Sequence, residues 1–271
     1  MKRWIAFVTA LFALVLTACS ASSTAPDSKP EGRQTQQSGL PPREADLIVS
    51  AAASLKDAME EIKDAYEQEH PDITLSFNFG GSGKLAQQIR QGAPVDLFLS
   101  ASQTDMNKLE EEQLILSQTR TDFARNSLVL VTHASDPADL SSFAKLDNPT
   151  IAHIATGEPE TVPAGRYSKE VLEKLQLWDR ISPRLIFASD VRQVLAYVEA
   201  GNAEAGIVYA TDAALSEKVK VLATANPEWH EPIVYPGAVV AASENREAAE
   251  AFLAYLKSER GKQVLKKYGF Q

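Results

Sequence analysis

From residue 46 to the C-terminus the apolar residues switch repeatedly between two periods, and this switching limits the fold more than any other feature of the chain. Leu47, Ile48 and Val49 form the short apolar run of a buried strand. Leu55, Ala58, Met59, Ile62, Ala65 and Tyr66 then recur at helical spacing. Ile73, Leu75, Phe77 and Phe79 alternate strictly, as in a strand with one buried face. Leu85, Ala86 and Ile89 mark a short helix. Residues 95–99, 127–132, 151–155, 184–188 and 205–209 read as further strands. Tyr167, Val171, Leu172 and Leu175 mark one helix between them. Val191, Val194, Leu195 and Val198 mark another, and Phe252, Leu253 and Leu256 a closing helical run. Strands alternating with helices predict an α/β fold with mostly parallel sheets flanked by helices. A chain of 271 residues suffices for one large domain or two modest ones, and no internal repeat is evident.

The N-terminus reads differently. Lys2 and Arg3 precede an apolar stretch at 5–16 that is too short to span a bilayer, which is a signal-peptide pattern. Leu16-Thr17-Ala18-Cys19 resembles a lipobox, the processing site of bacterial lipoproteins. The expectation is a signal peptide over 1–18, cleavage before Cys19 and lipidation of its sulfur. Cys19 is the single cysteine, so an intramolecular disulfide and a cysteine-cluster metal site are excluded. Residues 20–44 are rich in Ser, Thr, Gln, Pro and Gly, with almost no large apolar side chain. Residues 19–45 are therefore expected to form a lipid-anchored flexible linker.

The formal net charge of −9 argues against a nucleic-acid partner, which calls for a basic face. It also argues against drawing in an anion by overall attraction, so an anion site has to be built locally. Four strand-to-helix turns offer the means. Ser54 follows Ala51-Ala52-Ala53, and Ser82 lies within Gly80-Gly81-Ser82-Gly83; both are candidate N-caps. Pro163-Ala164-Gly165 precedes the helix of Tyr167, and Ser189-Asp190-Val191 precedes that of Val194. Each helix N-terminus presents unpaired N–H groups and a positive dipole end. Taken singly, each turn is accounted for by ordinary capping. If four converged, about +0.5 charge apiece would sum to roughly +2, suited to a dianion.

Catalytic constellations are thin. Gly83-Lys84 looks like the end of a phosphate-binding loop, but Asn78 stands where a glycine is needed and Leu85 where Ser or Thr is needed. His70, His133, His153 and His230 do not show metal-ligand spacing. There is no Gly-x-Ser-x-Gly elbow. An exported hydrolase is kept as the alternative class, although Tyr209 and the two serines have no evident histidine partner.

Several segments together resemble the molybdate-binding proteins of bacterial ABC importers, a branch of the type 2 periplasmic-binding-protein fold. They are Ala51-Ala52-Ala53-Ser54-Leu55, Gly92-Ala93-Pro94-Val95-Asp96-Leu97-Phe98, Asn126-Ser127-Leu128-Val129, Val162-Pro163-Ala164-Gly165, Asp190-Val191-Arg192, Gly206-Ile207-Val208-Tyr209 and Tyr268-Gly269-Phe270. They occur in the family's order from about residue 46 onward.

The resemblance implies two lobes, each with a mostly parallel sheet, around a ligand cleft. Lobe 1 is expected over 46–126 and 236–271, and lobe 2 over 127–235, with crossings near 126–128 and 235–238. By position, Ser54 and Ser82 give hydroxyl and backbone N–H bonds, Ala164 and Val191 give backbone N–H bonds, and Tyr209 gives its phenol. Around Ser82 the family often has a serine-rich run, whereas this chain has Gly80, Gly81 and Gly83. No catalytic residue, cofactor or cation ligand is implied, and the chain is not expected to be an enzyme. The cargo implied is molybdate or tungstate. The partners are a membrane permease with a cytoplasmic ATPase, and the membrane itself through Cys19, for a monomer facing the periplasm or cell exterior. Sulfate or phosphate is the rival cargo. Asp190, if it faced the ligand, would supply the acceptor that a protonated phosphate needs. Lys84, Arg166 and Arg192 lie near the same segments and are expected as solvated first-turn side chains.

Overall fold

The computed structural model describes residues 45–136 and 141–271. The expected signal peptide, Cys19 and the linker up to residue 44 lie outside the described residues. Strand β1 (Ala45–Ala52) starts one residue ahead of the expected Asp46. It leads through a 3-10 turn (Ala53–Leu55) into α1 (Lys56–Glu69), which buries Ala58, Met59, Ile62 and Tyr66 along one face. Next come β2 (Ile73–Gly80), α2 (Ser82–Arg90), β3 (Leu97–Leu99), α3 (Gln103–Glu111) and β4 (Thr121–Arg125). The chain then crosses into a second set: β5 (Leu128–His133), β6 (Ile154–Gly157), α4 (Pro163–Lys174), α5 (Trp178–Ile181), β7 (Leu185–Ala188), α6 (Val191–Glu199), β8 (Ala205–Tyr209), α7 (Ala210–Ala214) and β9 (Val219–Thr224). It returns with β10 (Val234–Val239), α8 (Arg246–Leu256) and α9 (Glu259–Lys267).

Two five-stranded sheets result, one in each lobe, ordered β2-β1-β3-β10-β4 and β7-β6-β8-β5-β9. In each, three neighbouring strands run parallel and the two remaining pairings are antiparallel. The parallel part matches the expected βαβ runs. Only β10 in the first sheet and β5 in the second run against their neighbours, while β4 and β9 beyond them point the same way as the parallel strands; the periodicity did not reveal β4, β9 or β10. Each sheet is therefore mixed in its pairing, with four of its five strands running in one direction, in keeping with the mostly parallel sheets expected. Because β10 belongs to the first sheet from Val234 on, the boundary expected after Tyr235 falls inside a strand.

The two sheets share one layout, with β1, β2, β3, β10 and β4 matched by β6, β7, β8, β5 and β9. The correspondence lies in topology, without a repeat in sequence. β8 is buried throughout, as a strand covered on both faces must be, and β1 is buried from Val49 to Ala52. The main core runs from Leu47, Val49 and Leu75 through Leu128, Leu130 and Ile207. A smaller cluster around Leu85, Phe98, Met106 and Ala238 packs α2 and α3 beside β3 and β10.

Candidate functional site

All five residues expected at the ligand lie on the wall of one small cavity. Ser54, Ser82, Ala164, Val191 and Tyr209 line it, together with Ala52, Ala53, Gly80, Gly81, Ala101, Val162 and Pro163. Each of these segments stands at the C-terminal end of a strand, β1, β2, β3, β6, β7 or β8, where α/β sheets place their ligands. Every lining residue is uncharged.

Neither serine caps a helix, contrary to the expectation. Ser54 sits inside the 3-10 turn, whose N-cap is Ala52, and Ser82 is the first residue of α2, whose N-cap is Gly81. Both hydroxyls turn instead to tertiary partners. Ser54 Oγ lies 2.9 Å from Tyr235 Oη, and Ser82 Oγ accepts from the Ala101 N–H at 3.0 Å. The Ser82 proton is thereby left free to point elsewhere. At α4, Val162 is an N-cap without a side-chain bond, followed by Pro163. Ser82, Ala164 and Val191 occupy the first or second position of α2, α4 and α6, so their N–H groups have no intrahelical partner. These three helices therefore bring their N-termini to one cavity.

Tyr209 is 1% exposed, and its hydroxyl is a buried polar atom without a protein partner. Burial pushes its pKa well above the usual range, with the neighbouring Tyr235, Tyr167 and Asp212 adding to the effect. The phenol stays protonated and remains a donor.

The charges that raised doubts are tied up outside the lining. Asp190 caps α6, accepting from the Gln193 N–H at 3.0 Å. Arg192 is not solvated: its Nε lies 2.7 Å from Asp212 Oδ1, and its Nη2 pairs with Asp57 of α1. Arg166 pairs with Asp105 of α3. Both arginines therefore bridge the two lobes. Asp212 is fully buried, and burial raises its pKa to about 6 against the pull of Arg192. Burial likewise raises Asp105, opposed by Arg166. Lys84 is exposed.

Two features escaped the sequence reading. The glycines beside Ser82 let the lobes touch. Gly83 N–H donates to Thr161 O at 3.0 Å across the cleft. A Cβ on Gly83 would come within 2.9 Å of Thr161 Cα and O, and one on Gly81 within 2.8 Å of Ser189 O. The other feature is a polar group where the chain crosses between sheets. Asn126 Nδ2 donates to Thr211 Oγ1 at 2.8 Å and to Tyr235 Oη at 3.2 Å, while Asn126 Oδ1 accepts from Ser127 N–H at 2.9 Å. A close approach hidden in a glycine run was readable as a possibility. A contact between residues 109 apart was not.

Comparison with known proteins follows the same lines. A protein of Bacillus subtilis, YvgL, provisionally named as an ABC transporter substrate-binding lipoprotein, is 41% identical over 270 residues, covering 99% of this chain and 98% of its own. The molybdate-binding protein ModA of Escherichia coli is 41% identical over 231 residues, covering 84% of this chain and 89% of its own. The structure of the periplasmic molybdate-binding protein of Azotobacter vinelandii superposes with a TM-score of 0.75 at 24% identity, over 83% of this chain and 98% of that one, and shows the shared fold. Residues 47–271 match the family described as bacterial extracellular solute-binding protein, and the chain belongs to that family.

Proposed function

We propose that this protein captures molybdate outside the cytoplasm and hands it to an ABC importer, with tungstate accepted alongside. The observation that carries the reading is the donor-only cavity. Two serine hydroxyls, the unpartnered Tyr209 hydroxyl and the free N–H groups of three helices converge there without a charged side chain. Molybdate near neutral pH is a tetrahedral dianion that only accepts hydrogen bonds, so such a wall suits it. Helix N-termini supply the positive field that a salt bridge would otherwise provide. The names of the relatives support the cargo and the importer, which implies a membrane permease with a cytoplasmic ATPase.

Asp190 spends one carboxylate oxygen on its own helix, which favours a ligand without a proton over hydrogen phosphate. The partners of Ser54 and Ser82 are a phenol and a backbone N–H, neither of which is a general base, and this counts against a hydrolase. For the N-terminus we propose cleavage before Cys19, a lipid on its sulfur and a tether over 19–45. The Leu16-Thr17-Ala18-Cys19 motif supports this, as does the 99% coverage of this chain in the match to a relative named as a lipoprotein. The working unit is proposed to be a monomer, since one chain supplies the whole cavity wall.

The test is calorimetric titration of the soluble part, from residue 45 on, with molybdate, tungstate, sulfate and phosphate. Tight binding of the first two with the others silent is the expected result. Tight binding of sulfate or phosphate with molybdate silent would overturn the cargo.

A further inference from the structure

The Ser54 hydroxyl strengthens the site only if it donates into the cavity, and an isolated serine hydroxyl could equally turn a lone pair there. We infer that Asn126 and Tyr235 form a proton-ordering relay that holds Ser54 as a donor, making both positioning residues for oxyanion selectivity. The inference rests on the binding reading above.

The direction of each bond follows from its fixed ends. The Ser127 N–H can only donate, so the atom it meets at 2.9 Å is the Asn126 carbonyl oxygen, and the other end of the amide is its NH₂. That NH₂ has two protons and two partners, Thr211 Oγ1 and Tyr235 Oη. Tyr235 Oη therefore accepts from Asn126. The Tyr235 side chain is fully buried, and burial drives its pKa far above the ordinary phenol range, so it keeps its proton. The acceptor in reach of that proton is Ser54 Oγ at 2.9 Å. With one lone pair occupied by Tyr235, the Ser54 proton is left to point at the cavity that Ser54 lines.

The relay starts where the chain crosses between lobes. It ties Thr211, which follows β8, to Tyr235 on β10, so the ordering is set at the joint itself. Chains of this kind reinforce one another in a dry environment.

The test is a double-mutant cycle on molybdate Kd by calorimetry, using S54A, Y235F, N126D and the two combinations with S54A. Thermal unfolding serves as a check on folding. Y235F deletes the proton that holds Ser54. N126D keeps the amide's shape but cannot donate. Its carboxylate accepts from the Tyr235 O–H, so Tyr235 in turn accepts from Ser54 and a lone pair of Ser54 faces the anion. Each single variant is expected to raise Kd by roughly tenfold, the scale of one hydrogen bond to a charged group. In the S54A background Y235F should change Kd by less than about twofold, because it has nothing left to act through. N126D should lose most of its effect there, keeping only what its added charge costs. Equal factors in both backgrounds, for both variants, would mean Tyr235 and Asn126 merely support the fold, and would overturn the relay alone. A wild-type protein that ignores molybdate, or an S54A variant that binds as tightly as wild type, would overturn the binding reading itself. Should Y235F fail to fold, the isosteric N126D arm decides.

Discussion

Tyr209 puts a buried hydroxyl without a protein partner on the cavity wall, where a ligand can accept its proton. Leaving such a group unsatisfied costs about 1–3 kcal/mol. Tyr209→Phe should therefore weaken molybdate binding while leaving the melting temperature of the unliganded protein equal or higher. Differential scanning calorimetry without and with molybdate would read both, and a marked loss of unliganded stability would tell against this account. Ser54→Ala and Ser82→Ala should each weaken binding by about 0.5–3 kcal/mol in a calorimetric titration if, as proposed, each hydroxyl donates to the anion. At this scale the turns that hold Ser54, Ser82, Ala164 and Val191 were legible as candidate anion sites, because small residues at strand-to-helix turns mark places where a ligand can approach the backbone, while their convergence and the place of Tyr209 came only with the family resemblance. Their bonding was not legible. Both serines looked like helix caps, and only tertiary packing against Tyr235 and Ala101 draws the hydroxyls away from that task. The relay residues gave no local signal, since Asn126 and Tyr235 meet only once both crossings are in place.

At the scale of elements, the strands with unbroken apolar runs could be read because burial on both faces leaves no polar position to blur them. β4 has the sequence Thr-Asp-Phe-Ala-Arg, and β10 contains Pro236 at a register shift; neither follows a clean period of two. α3 buries only Asp105, Met106 and Leu109 of its nine residues. The closing helical run proved to be two helices, because Ser258 caps the second by accepting from Gly261 N–H. Two predictions belong here. Gly83→Ala places a methyl against the Thr161 backbone where the two lobes meet. Overpacking costs roughly 1–3 kcal/mol, so molybdate affinity should fall by up to that amount in a calorimetric titration, and an unchanged Kd would tell against this contact. The second concerns Asp212 of α7, which faces Arg192 and, beyond it, Asp57, with Tyr209 and Tyr235 close by. Its folded pKa of about 6 lies above the ordinary carboxylate value of 3.8, so the folded state holds the proton more firmly than the unfolded one. Its contribution to stability is thus fully present below about pH 4 and is lost as pH rises through about 6. Asp212→Asn should flatten that part of a melting-temperature profile between pH 4 and 7. An unchanged profile would show that Asp212 does not titrate there.

The whole molecule sets a net charge of −9 against a cavity that takes a dianion. The long-range field repels the ligand, and the attraction is confined to helix termini within the cleft. Stopped-flow association rates should therefore rise with ionic strength up to about 0.15 M as the repulsion is screened, while dissociation rates change little. A falling association rate would reveal a basic approach path. The α/β class could be anticipated from the alternation of strands and helices, whereas the two lobes were anticipated only through the resemblance to a known family. The matching layout of the two sheets could not be anticipated, because it is carried by topology rather than by repeated residues.

That matching layout has a consequence for how the cargo leaves. Ser54 after β1 corresponds to Ala164 after β6, and Ser82 after β2 to Val191 after β7. Prising the lobes apart would therefore split the anion's coordination shell into two half-shells, neither of which is a site in its own right. Water would replace one half while the other still held on. Release becomes an exchange in two instalments, and the barrier to each is a fraction of what stripping the bare ion from a closed cage would demand.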